Sequence, residues 1–234
     1  MPSLLEDPTT YIPPPPTAST TSPTLTPITK TLKDSTRVTL YPVAHGASSL
    51  PASLVKVLHR EFSEEIARGA TYPMEEGMGY EAFAGYWFGT FAVVAVIDRE
   101  GPGGNGGNGS GDGEQGRWLQ GQEERDWERD CLGTFYIKPN YPGRCSHVCN
   151  AGFLTTAAAR GRGVGIVMGE TYLEYAPKLG YKYSVFNLVF ENNVASVKIW
   201  ERLGFKIIGR VPGAARLANS PDLVDALIIG KELV

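Results

Sequence analysis

No run of apolar residues in this 234-residue chain approaches the length of a membrane span. The opening Met1-Pro-Ser-Leu-Leu-Glu-Asp has neither the apolar core of a secretory signal nor the arginine-rich character of a transit peptide. The expectation is a cytoplasmic protein with no membrane partner. Basic character is also lacking: 22 Lys and Arg stand against 25 Asp and Glu, a formal net charge of −3. The densest acidic run, from Glu123 to Asp130, is interleaved with Arg125 and Arg129. No stripe of cations is left for nucleic acid, so a small-molecule partner is expected. Cysteine is scarce. Cys131, Cys145 and Cys149 are an odd number in a chain without a secretion signal, which implies reduced thiols. Cys145-x-His147-x-Cys149 has the look of a metal motif, but a structural zinc needs four ligands and no second pair follows, so no metal is expected. His147 reads as a solvated or structural loop residue, with substrate orientation or base chemistry as its functional alternative.

Hydrophobic residues make up 42% of the chain and charged residues 20%, the balance of one ordinary globular domain with room for a core. Residues 1–36 are dominated by Pro, Thr and Ser, including Pro13 to Pro16, and are read as a disordered tail. Residues 99–122 are rich in Gly with Asn, Ser and Glu, and are read as a flexible hairpin insertion. The domain then spans residues 37–234. Alternation gives a strand at 37–43; Leu54, Val55, Val57, Leu58, Phe62 and Ile66 mark an amphipathic helix, and a shorter one follows near 80–86. Residues 91–97 and 132–137 read as strands, as do 183–190, 205–211 and 226–231.

The chain is organised around residues 150–165. Asn150-Ala-Gly-Phe-Leu-Thr-Thr reads as a strand, and Arg160-Gly-Arg-Gly-Val-Gly165 as a turn. Met168, Tyr172 and Leu173 then recur at helical spacing. A glycine-rich turn at a helix N-terminus gathers unpaired backbone N–H groups and the positive end of the helix dipole, and lets an anion approach the main chain. A nucleotide-triphosphate loop would need Gly-Lys-Ser or Gly-Lys-Thr at its end, whereas Ile166 follows Gly165. A dinucleotide fingerprint counted from Gly161 would need a sixth-place glycine, and that place is again Ile166.

What remains is Arg160-x-x-Gly163-x-Gly165 after a strand, followed by Asn193-Val-Ala-Ser196-Val-Lys-Ile-Trp200-Glu-Arg-Leu-Gly204-Phe205. The two motifs, in this order, resemble the pyrophosphate loop and the later helix of the GNAT superfamily of N-acetyltransferases. A helix from about 193 to 203, ended by Gly204, fits the second motif. A closer resemblance runs through Leu132-Gly-Thr-Phe-Tyr-Ile-Lys-Pro-Asn-Tyr141, Arg144-Cys-Ser-His147, Cys149-Asn-Ala-Gly-Phe-Leu154 and Leu179-Gly-Tyr-Lys-Tyr-Ser-Val-Phe-Asn-Leu-Val-Phe190. These stretches are similar to the proline-analogue N-acetyltransferases that act on L-azetidine-2-carboxylate. The implied fold is α/β: the GNAT fold, a mixed, mostly antiparallel sheet flanked by helices. The implied cosubstrate is acetyl-CoA, the implied substrate a small amino or imino acid, and the implied assembly a homodimer. The tail and the insertion lie outside the resemblance.

The resemblance also implies site roles. The backbones of Gly152, Phe153, Leu154 and Thr155, together with the loop Arg160, Gly161, Arg162, Gly163, Val164 and Gly165, would hold acetyl-CoA. Asn150 would recognise the substrate, and the amides of Asn187 and Leu188 its carboxylate, which two adjacent N–H groups between splayed strands can do without an arginine. The Phe153 amide would stabilise charge on the thioester oxygen. Trp200 stands where many GNAT members carry a tyrosine that protonates the leaving thiolate, and an indole has only a non-acidic N–H. The closer family gives the leaving sulfur to Asn193, through its amide donor. Asn193 fits a helix N-cap equally well, Asn150 also fits a turn former, and the Phe153 side chain fits the core. No carboxylate lies in 150–156; Glu191 could serve as base through water or be a solvated glutamate.

Overall fold

The structure is a computed structural model and describes residues 25–98 and 118–234. Most of the tail reading and of the insertion reading falls outside those residues. Where they overlap, two boundaries move. Strand β1 (Ile28–Thr31) lies inside the expected tail and pairs with β2 (Arg37–Val43) across a turn closed by the Leu32 amide on the Thr36 carbonyl, 2.9 Å. The Ile-Thr-Lys-Thr alternation was hidden in a composition dominated by threonine. At the other end of the expected insertion, Leu119 is buried in the core.

Helices α1 (Ala52–Ala67) and α2 (Tyr80–Phe88) follow β2. Strand β3 (Phe91–Ile97) and the short α3 (Trp127–Asp130) lead into β4 (Cys131–Pro139) and β5 (Val148–Thr155). Then come α4 (Val164–Lys178), β6 (Tyr183–Phe190), α5 (Val194–Arg202), β7 (Lys206–Ala215) and β8 (Val224–Glu232). The described strands form one eight-stranded sheet in the order β1-β2-β3-β4-β5-β6-β8-β7. The apolar stripe of α1 (Leu54, Val55, Leu58, Phe62, Ile66) packs with Phe83, Trp87 and Phe88 of α2 on one sheet face. Val164, Val167, Met168, Tyr172 and Tyr175 of α4 and Trp200 of α5 cover the other.

One junction sets the site. Every strand pair is antiparallel except β5 with β6, which are parallel and register only through Val148 with Tyr183 and Cys149 with Ser184. Beyond those pairs the facing edges of β5 and β6 part. On its other edge β5 stays fully paired, from Gly133 with Thr155 to Pro139 with Cys149. The result is a wedge-shaped opening in an otherwise continuous sheet, with main-chain groups on its walls. The β6–β8 register also shifts between Phe186 and Val189, at residues 187 and 188.

Candidate active site

The opening between β5 and β6 is the mouth of a cleft of about 630 Å³. Of the residues singled out in the sequence, it brings together Asn150, Gly152, Phe153, Leu154, Thr155, Arg160, Gly165, Asn187, Leu188 and Asn193 on its lining. Gly161, Arg162, Gly163 and Val164 are not on it. The Val164 side chain is buried in the core. Arg162 turns away to Asp34 and Thr36 in the β1–β2 turn, at 2.9 and 2.8 Å. Hydrogen bonds from Thr36 and Arg162 hold the Asp34 carboxyl down at about 2.

At the closed end of the wedge the strands are bridged by asparagine side chains. The Asn150 amide donates to Asn140 Oδ1 at 3.0 Å, and the Asn187 amide donates to the same oxygen at 2.6 Å. Asn140 lies just past β4, with its backbone amide on the Val148 carbonyl at 2.8 Å. It therefore ties β5 and β6 together where their backbones begin to separate. Asn140 was not singled out in the sequence, where it sits in a Pro-Asn-Tyr-Pro turn and reads as turn chemistry.

The α1–α2 side of the cleft is aromatic. Tyr72 donates to the Phe153 carbonyl at 2.8 Å, and the Tyr86 and Tyr136 hydroxyls are 3.1 Å apart. Tyr136 dictates the residue opposite it: a Cβ added at Gly152 would lie 2.5 Å from the Tyr136 ring. On the other sheet face the Phe153 ring stacks on Phe135 and meets Trp200 at 4.9 Å, so this side chain is part of the core, as one of its two sequence readings held.

At the wide end, Gly163 caps α4 with φ 84° and no side-chain capping bond, and Gly161 has φ 75°. A side chain is strained at either φ. A Cβ at Gly161 would meet nothing within 4 Å. The loop is thus open to a bulky group, with first-turn amides of α4 that have no intrahelical acceptor. Arg160 is pinned by Glu65 at 2.9 Å.

On α5, Asn193 is the N-cap: its Oδ1 accepts from the Ser196 amide at 3.2 Å, which commits the acceptor and leaves the side-chain NH2 as donor. The Trp200 indole N–H is committed to Ser196 Oγ at 3.0 Å, and its ring packs on Phe186 and Phe205. Glu191 is not on the lining of this cleft; it pairs with Arg210 on the surface. The acid on the cleft wall is Glu65, already engaged by Arg68, Arg160 and Thr71. His147 and Cys145 are exposed. Cys149 is buried against the Tyr172 hydroxyl at 3.0 Å, and burial pushes its thiol up to about 12. All three cysteines are free thiols.

A model of the Acetyltransferase (GNAT) family matches residues 109–205, the stretch that carries β4, β5, the glycine loop, β6 and α5. N-acetyltransferase aca1 of Schizosaccharomyces pombe is 38% identical over 177 residues, which are 75% of this chain and 78% of that protein. The chain belongs to the GNAT acetyltransferase family. Among solved structures, a GCN5-related N-acetyltransferase from Kribbella flavida superposes with TM-score 0.61 at 25% identity, over 82% of this chain and 97% of that one. A phosphinothricin acetyltransferase from Sinorhizobium meliloti, solved with AcCoA, superposes with TM-score 0.57 at 12% identity, over 89% of each chain. This GNAT chain is an acetyltransferase, and its sheet is the mixed, mostly antiparallel, helix-flanked sheet that the two motifs imply. Among its described residues no helix is long and apolar enough to cross a membrane.

Proposed function

We propose that the protein is an acetyl-CoA-dependent N-acetyltransferase for small cyclic imino acids, L-azetidine-2-carboxylate and other proline analogues, and for pyrroline-5-carboxylate or its open glutamate semialdehyde, the form that carries a free amine. The observation that carries this reading is the asparagine bridge at the closed end of the wedge. Asn140 fixes the Asn150 and Asn187 side chains beside the register shift at 187–188, where two successive amides can receive a carboxylate. Such a site suits an amino-acid anion. A polyamine would call for an acidic wall, and the one carboxylate among the described lining residues, Glu65, is neutralised by two arginines.

Acetyl-CoA supplies the activated acyl group as a thioester, and the open glycine loop with the first turn of α4 fits its pyrophosphate. Residues 152–155 present main-chain groups along the unpaired edge of β5, where the Phe153 amide would stabilise negative charge on the thioester oxygen. The neutral substrate amine attacks the carbonyl carbon directly; a C–N bond forms, the nitrogen gives up its proton to solvent water, the C–S bond breaks and the sulfur leaves as thiolate. Asn193 would donate a hydrogen bond to that sulfur from the NH2 its capping role leaves over. Asn is not an acid at neutral pH, so this is electrostatic stabilisation, and water completes protonation. Trp200 takes no part, because its N–H is spent on Ser196.

The family resemblance supports roles in detoxifying proline analogues and in tolerance of oxidative stress, and a homodimeric, cytoplasmic enzyme. The test is thiol release from acetyl-CoA with L-azetidine-2-carboxylate, with spermidine and with no amine. Release with the imino acid alone is expected. Release with spermidine instead would move the substrate class, and release with neither amine would leave a protein that binds acyl-CoA without this turnover.

A further inference from the structure

Lys138 stands apart from every other cation described. It lies at the C-terminal end of β4, is only 4% exposed, and its Nζ has no hydrogen-bond partner among the described residues. Among the described residues no carboxylate pairs with it. The ammonium sits instead 4.3 Å from the ring centroids of both Tyr86 and Tyr136. Both tyrosines line the cleft. In the β4–β5 ladder Lys138 is directly opposite Asn150, so the two side chains leave the sheet on the same face. A buried charge with no counter-ion is costly, and its field is not cancelled by a local partner. The two ring faces stabilise it in part.

We propose that Lys138 is a specificity-determining residue that makes the cleft prefer anionic amines: its charge, held behind Tyr86 and Tyr136, supplies the positive potential that a substrate carboxylate satisfies on binding. This rests on the imino-acid reading above and adds to it a residue that does not touch the carboxylate. The groups facing Lys138 leave its charge in command of this wall. Burial raises both phenols above their usual range, so Tyr86 and Tyr136 stay neutral, and the facing β5 residue is the uncharged Asn150. Burial alone lowers the Lys138 ammonium to about 8, so the charge is present at neutral pH and is lost in mild alkali.

The experiment compares L-azetidine-2-carboxylate with its carboxamide, which keeps the amine and removes the anion, on the full chain as wild type, Lys138→Met and Lys138→Arg. Folding is checked first by melting temperature, which removal of a buried charge should not lower. A unit charge several Å away at an effective dielectric of ~20 predicts a loss of about tenfold or more in kcat/KM on the carboxylate in Lys138→Met, with the carboxamide unaffected and KM for acetyl-CoA unchanged. Lys138→Arg should restore the preference. The wild-type advantage over Lys138→Met on the carboxylate should shrink as pH rises through about 8. Equal losses on both substrates, no loss on the carboxylate, or a pH-independent advantage would each overturn the proposal. If wild type releases thiol with neither compound, the imino-acid reading fails. Calorimetric binding of the same two compounds then decides Lys138 separately: carboxylate-selective binding that Lys138→Met abolishes upholds it, and unselective or absent binding overturns it.

Discussion

Single residues in this cleft act through what they leave unsatisfied. Asn140 uses one carbonyl oxygen to hold two asparagine amides on different strands, so its loss frees both. Asn140→Ala is expected to raise KM for the imino acid about tenfold, the worth of one to two hydrogen bonds, with little change in KM for acetyl-CoA; steady-state kinetics with each substrate varied checks this. Lys138 carries a pH signature in stability as well as in specificity. Its folded-state value of about 8 lies below the usual 10.5, so between those values the unfolded chain binds more protons than the folded one. The contribution of Lys138 to stability should therefore rise with pH across that window, and its burden of about 3 kcal/mol at neutral pH should be relieved above it. The difference in urea midpoint between wild type and Lys138→Met, measured on either side of the window, tests this, because it cancels the opposing contribution of the buried Cys131 and Cys149 thiols. Lys138 was not singled out in the sequence, where it directly follows the strand reading at 132–137; that the distant Tyr86 closes over it together with Tyr136 is seen only in the fold. Gly152 is a comparable case. Its neighbour Tyr136 makes it obligatory, and that contact is visible only once β4 and β5 are paired.

At the scale of elements, the start of α5 does two jobs with one side chain, and the jobs can be separated. Asn193→Ala should lose about 1 kcal/mol of stability with the cap, and turnover with the donor. Asn193→Asp keeps the capping oxygen, so its melting temperature should stay near wild type while kcat falls sharply, since a carboxylate cannot donate to a thiolate and repels it. Equal kcat in Asn193→Asp and wild type would remove Asn193 from the chemistry. The helix itself was readable from Asn193, Gly204 and the spacing between them. The strands at 37–43, 91–97 and 183–190 were likewise readable, and the structure begins and ends them at those residues, because each is an alternating or fully apolar run bounded by turn residues. β1 was missed because four residues of β-branched alternation carry little signal inside a Thr- and Pro-rich stretch.

For the whole molecule, β7 is the exposed margin of the sheet. Ile207, Ile208 and Val211 on it, with Leu223 ahead of β8, are between 41% and 58% exposed, an apolar surface at a sheet edge. The resemblance implies a homodimer, and this margin is where we expect it to form. Light scattering should give twice the 25.3 kDa chain mass, and Ile208→Glu should reduce it to one chain; a wild-type mass of one chain would reject the dimer.

Apart from β1 and α3, the sequence by itself determined the elements, their order and the glycine loop, because hydrophobic period, caps and φ-specific glycines are local properties written in neighbouring residues. It also carried the two spaced motifs from which the family could be read. The tertiary structure alone decided how the sheet opens. β5 and β6 register through only two residue pairs and then part, and no local pattern encodes where two strands separated by a helix cease to pair. From that opening follow the Asn140 bridge, the burial of Lys138 against Tyr86 and Tyr136, and the removal of Glu191 to the surface. The contacts that matter most in them, Asn187 with Asn140 and Tyr86 with Lys138, join residues about fifty apart in the chain and are fixed by packing rather than by sequence spacing.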